Sequence, residues 1–99
     1  MDKVQSFINE VDAVLRHENG MQARTERVFA DFVTDLRSQL DLHSHADRSH
    51  HAGNVVMKVR DLLRGIDYPL PEQEAVRDDL VAHIEQTIRE IEPGRLPAR

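Results

Sequence analysis

His43-Ser44-His45-Ala46-Asp47-Arg48-Ser49-His50-His51 gathers four of the chain's six histidines into nine residues. Imidazole is a ligand for zinc, nickel and copper, and three or four converging donors make a tight site. If a helix ran through the stretch, His43, Asp47 and His51 would recur at four-residue steps on one face, with His50 beside them. In a loop, His45 could still converge with His50 or His51. His43, His45, Asp47, His50 and His51 are therefore the candidate metal ligands, with Zn or Ni as the ion. Against that reading, no established spacing such as His-Glu-x-x-His occurs, and Ser, Asp, Arg, His and Gly also compose an ordinary polar connector.

The same stretch has a second chemistry. Histidine titrates near about pH 6.5, so a cluster responds between about pH 7.5 and 5.5. Six added protons would move the formal net charge from −5 to +1. A third chemistry, phosphoryl acceptance, wants a nearby cation to hold the transferred group. His50 is followed by His51-Ala52-Gly53, with no lysine before Lys58, which sets that chemistry aside. Weighed together, these favour a titratable connector between two helices over a dedicated site.

The other two histidines have structural readings. His17 falls in a last helical turn, where a cation favours the exposed carbonyls. His83 stands one turn after Asp79, a spacing that permits a side-chain pair. Catalytic constellations are thin. Glu72, Glu74, Asp78 and Asp79 do not form the paired Glu-x-x-His pattern of helical metal-dependent enzymes. Ser44 and Ser49 adjoin histidines only in sequence, which does not make a triad. Gly20, Gly53, Gly65 and Gly94 each fit a turn and do not make a phosphate loop. No enzyme is expected.

Composition narrows the classes further. With no cysteine in 99 residues, disulfides, thiol catalysis and cysteine-based zinc sites drop out. No run is apolar enough to span a membrane and no signal peptide is evident, so a cytoplasmic protein that leaves membranes alone is expected. Charge is uneven. Glu72 to Glu92 holds seven acids against Arg77 and Arg89, a local sum of −5. Nucleic-acid binders draw affinity from basic stripes; none is present, so no nucleic-acid partner is expected.

Four segments repeat apolar residues at three- and four-residue spacing, and each predicts a helix. The first runs from about Asp2 to Glu18, carrying Val4, Phe7, Ile8, Val11, Val14 and Leu15 before Asn19-Gly20 stops it. The second runs from about Gln22 to Leu42, with Val28, Phe29, Phe32, Val33, Leu36 and Leu40. The third spans about Val55 to Arg64, capped by Asn54 and ended by Gly65. The fourth, about Pro71 to Ile91, opens on a proline suited to a first turn and carries Val76, Leu80, Val81, Ile84, Ile88 and Ile91. Nothing alternates with period two.

The expected fold is all-α: a small up-down bundle of about four helices in a single domain, residues 1–92, with a flexible tail at 93–99. The third helix is apolar over more than half its circumference. It either fills the centre of the monomer or carries a self-association face, and a homodimer completing the bundle is the favoured expectation. By elimination, the chain reads as a non-enzymatic interaction module: an adaptor, regulator or inhibitor presenting an acidic C-terminal helix to a protein partner. Glu72, Glu74, Asp78, Asp79 and Tyr68 of the Tyr68-Pro69-Leu70-Pro71 corner are the candidate partner-binding residues. The competing class is a metal-binding or pH-sensing protein that uses the histidines at 43–51.

Overall fold

The computed structural model describes residues 3–17, 22–39 and 45–97. Four helices follow in order: α1 (Lys3–His17), α2 (Gln22–Gln39), α3 (His45–Arg64) and α4 (Pro71–Ile91). They form a small up-down helical bundle, with no strand among the described residues. α3 packs most extensively on α4 and α1 on α2, and every helix touches the other three. No helix among the described residues is long and apolar enough to cross a membrane.

The apolar periodicity does the work expected of it. Val4, Phe7, Ile8, Val11, Val14 and Leu15 of α1 are all buried. All but Val14 join one core cluster with Val28, Phe29 and Leu36 of α2 and Leu80, Val81, Ile84 and Ile88 of α4. Phe7 is the aromatic hub: its ring lies 5.9 Å edge-on from Phe29 and 4.9 Å from Phe32. Such offset arrangements set the positive ring edge against the negative face. Leu40, and the stop signal at Asn19-Gly20, lie outside the described residues.

α3 departs from expectation at its start. The helix begins at His45, ten residues before the expected Val55, so His45 to His51 are helix and not connector. Ala52 is buried and extends the stripe of Val56, Val59 and Leu63 one turn upstream. Large apolar residues alone do not reveal that extra turn. Gly53 and Asn54, read as a turn and a cap, sit inside the helix. Helical glycine costs about 1 kcal/mol relative to alanine, so its presence there needs a packing reason, which the end of α4 supplies.

The breadth of α3 is used within the chain. Val56, Val59 and Leu63 are fully buried, and Val55 and Met57 pack partly against the core. Of the two alternatives for that girth, the centre of the monomer is the one occupied. Part of that apolar surface stays open: Leu62 is exposed, and Val55 and Met57 are only partly covered.

Arg60 joins α3 to α4. It donates to Glu85 at 3.1 Å and pairs with its neighbour Asp61 at 2.9 Å. Burial works to lower its pKa, but the hydrogen bonds and charges of the two carboxylates prevail and raise it.

Beyond α4 the chain turns at Gly94, whose φ of +92° is the positive value that glycine tolerates. Residues 93–99, set apart from the domain on sequence grounds, include Arg95 hydrogen-bonded to α3 and Leu96 packed against the core. Ala98 and Arg99 lie outside the described residues.

Candidate functional site

Helix geometry decides where the histidines go. Consecutive residues on an α-helix point about 100° apart, so His50 and His51 part company. His51 lines a depression with Lys3, Val4, Phe32, Asp35, Leu36 and Val55. His50 turns to the far end of α4, where its Nδ1 lies 3.1 Å from Oε2 of Glu92. These two candidate ligands do not converge. His45 and Asp47 fall in the first turn of α3, but their side chains, and all of His43, lie outside the described residues. Among the described residues no group of three or more histidines and carboxylates is placed to hold a metal ion.

His50 instead belongs to a polar clasp that ties the end of α4 to α3. Glu92, the C-cap of α4, accepts from Arg95 Nε at 2.8 Å and faces His50. Arg95 Nη2 reaches Asn54 Oδ1 at 2.6 Å and the His50 carbonyl at 3.4 Å. The hydrogen bond with His50, then that with Arg95, holds the Glu92 carboxyl below its ordinary value of 4.5, against a smaller opposing effect of burial. Gly53 makes the approach possible: a Cβ at that position would collide with Glu92 Oε1 and stand 3.3 Å from Arg95 Nη2. Sequence reading missed the clasp because its acid and its glycine belong to different helices.

Within the corner, Tyr68 itself is turned inward, which corrects the expectation that its side chain is presented. Tyr68 is only 6% exposed. Its hydroxyl donates to Asp12 Oδ1 at 2.9 Å, and Arg16 lies 4.8 Å above its ring. Burial first, then the bond to Asp12, pushes the phenol above its ordinary value of 10. Gln73 locks the same corner to α1. Its Oε1 accepts from the Leu70 N–H at 3.2 Å, and its Nε2 donates to the Leu15 carbonyl at 3.1 Å. That carbonyl is one of the four a helix C-terminus leaves without an intrahelical partner. Arg77 donates to the Ile66 carbonyl and so ties the connector beyond α3 to α4. The corner residues Pro69, Leu70 and Pro71 remain exposed.

The acids of the last helix divide into two sets. Arginines take up several: Glu85 goes to Arg60, Glu92 to Arg95, Asp78 to Arg77 at 2.8 Å, and Glu74 to Arg77 at a looser 3.9 Å. Glu72, Asp79 and Glu90 are exposed and form no ion pair with the described residues. At about 100° per residue these three lie within about 20° of one another, on a line about 27 Å long. Exposed Ala75 and Ala82 lie beside that line and leave it unobstructed. His83 shares this side of the helix, with its ring edge-on to Phe29 at 5.6 Å rather than paired with Asp79. Of the expected partner-binding residues, Glu72 and Asp79 are therefore unpaired, Glu74 and Asp78 are drawn toward Arg77, and Glu90 joins the stripe.

No protein-family model, curated protein or solved structure matches this chain.

Proposed function

We propose that the chain is a small non-enzymatic interaction module that presents the outer face of α4 to a basic protein surface. The observation that carries this reading is the unpaired stripe of Glu72, Asp79 and Glu90. Glu85, Glu92 and Asp78 each have an arginine within 3.1 Å and Glu74 a looser one, whereas these three have none among the described residues. A line of fixed carboxylates steers encounter with a basic groove and sets register. The three groups with displaced pKa values, Arg60, Tyr68 and Glu92, each serve a structural contact and line neither described depression. A catalytic centre would bring perturbed groups and cavity together.

The test is charge reversal at Glu72, Asp79 and Glu90 to lysine, with helicity checked by circular dichroism. The reversed protein is expected to lose a partner that the wild type retains in affinity capture. Retention of every partner by a folded variant overturns the reading.

The second reading, a metal-binding or pH-sensing protein, has the His50–Glu92 contact in its favour, because an imidazole against a carboxylate responds to protons and can share a cation. Chelator-treated protein, melted with and without Zn or Ni, tests it. Stoichiometric stabilisation lost in H50A/H51A favours it; an unchanged melt removes it.

A further inference from the structure

The side of the bundle formed by α1 and α2 carries an open groove of about 300 Å³. On α1 its lining is Lys3, Ser6, Phe7 and Glu10; on α2 it is Val28, Asp31, Phe32 and Asp35. Each set follows i, i+3, i+4, i+7, so the groove runs along two parallel ridges. That is the surface against which a third helix packs. Phe7, Val28 and Phe32 make the floor. The rim carries three carboxylates to one ammonium, and Lys3 Nζ is held by Asp35 at 2.8 Å. Past that pair, a second depression of about 210 Å³ continues over Phe32 and Leu36 to Val55 of α3.

We propose that this groove docks a basic amphipathic helix of another protein. One or two apolar side chains of that helix settle over Phe7 and Phe32, and its lysines or arginines meet Glu10 and Asp31. Charge complementarity selects the occupant. The apolar floor supplies contact area, and the acidic rim favours cations and fixes their register. The α4 face of a second copy is not the occupant, because its unpaired carboxylates would meet the same acidic rim. The groove is separate from the α4 stripe, so this inference stands or falls independently of the proposed function.

The probe is an acetylated, amidated peptide of about fourteen residues, long enough to hold helix on a surface, with leucine and lysine at helical spacing. Binding to the full chain is followed by fluorescence anisotropy and by amide chemical shifts. Two variants carry identical charge changes: E10K/D31K in the groove and E72K/D79K on α4. The expected result is shift changes concentrated on Lys3–Glu10 and Val28–Asp35, with affinity falling about tenfold in E10K/D31K and less than about twofold in E72K/D79K. Equal loss in both variants, shifts centred on α4, or equal binding of a scrambled non-amphipathic peptide overturns the proposal. The shift map needs no variant and so does not depend on either one folding. A dimer of the chain alone that E10K/D31K dissociates would make a second copy the occupant and overturn it as well.

Discussion

Replacing Gly53 by alanine sets two effects against each other. Inside a helix the change normally stabilises by about 1 kcal/mol, because glycine carries extra backbone entropy in the unfolded chain. Gly53 has no positive φ that would strain alanine. A Cβ there collides with Glu92 Oε1, however, and crowds Arg95 Nη2. Both are ends of flexible side chains, so the backbone holds and the carboxylate swings away. The loss is then the clasp itself: Glu92 with His50, Glu92 with Arg95, and part of Arg95 with Asn54. Partly exposed pairs of this kind contribute about 0.2–1 kcal/mol each, so the loss sums to about 1 kcal/mol and cancels the propensity gain. G53A should melt within about 2 °C of wild type. In an E92A background only the flexible Arg95 Nη2 still crowds the Cβ, and the same substitution should raise the melting temperature by about 4 °C. The assay is a thermal double-mutant cycle of G53A and E92A, with a coupling of about 1 kcal/mol expected. Coupling below about 0.3 kcal/mol, with G53A stabilising both backgrounds equally, would refute the close approach of α3 and the end of α4.

Further outcomes follow from the same contacts. His50 is the first cause of the lowered Glu92 pKa, so H50A should move the Glu92 carboxyl back toward 4.5 in a carboxyl-carbon NMR titration. A depressed carboxylate stabilises above its unfolded pKa and loses that contribution as pH falls through its folded pKa. The stability gap between wild type and E92Q should therefore be full above about pH 5.5 and shrink below about pH 4.5 in chemical denaturation. The chain's one tyrosine should ionise above its ordinary value in an ultraviolet titration. Because the folded phenol is raised, its contribution is full below pH 10 and lost as pH climbs through the folded value. Y68F, which removes one hydrogen bond from an Asp12 carboxylate that Arg16 still serves, should cost about 1 kcal/mol by urea denaturation. L63A, at a fully buried position in the core, should cost about 3 kcal/mol in the same assay.

The parts of the fold that large apolar residues announce were legible in the sequence. α1 and α4 have the expected ends to within about a turn, and the residues assigned to their inner faces are buried, except that Val76 and Ile91 near the ends of α4 are only partly so. The first half of α3 was not legible, because a buried alanine and a glycine carry its stripe through polar sequence. Gly53 resembles a turn until Glu92 is known to need the space. The acidic helix was visible as a sum of charge, but which acids stay free depends on Arg60, Arg77 and Arg95. Arg60 lies on another helix, and Arg95 reaches back after the chain reverses. Tyr68 beside two prolines looked presented for a related reason: Asp12 and Arg16, which draw it inward, belong to the first helix.

The stripe on α4 is tested most directly by photo-crosslinking in the native host, with a photoreactive residue at position 79 and, as a control, at exposed Arg64 of α3. The expected result is a discrete adduct from position 79 that disappears when Glu72 and Glu90 are reversed to lysine, and none from position 64. An adduct that survives the reversal, or no adduct at 79 beyond that at 64, would contradict the account.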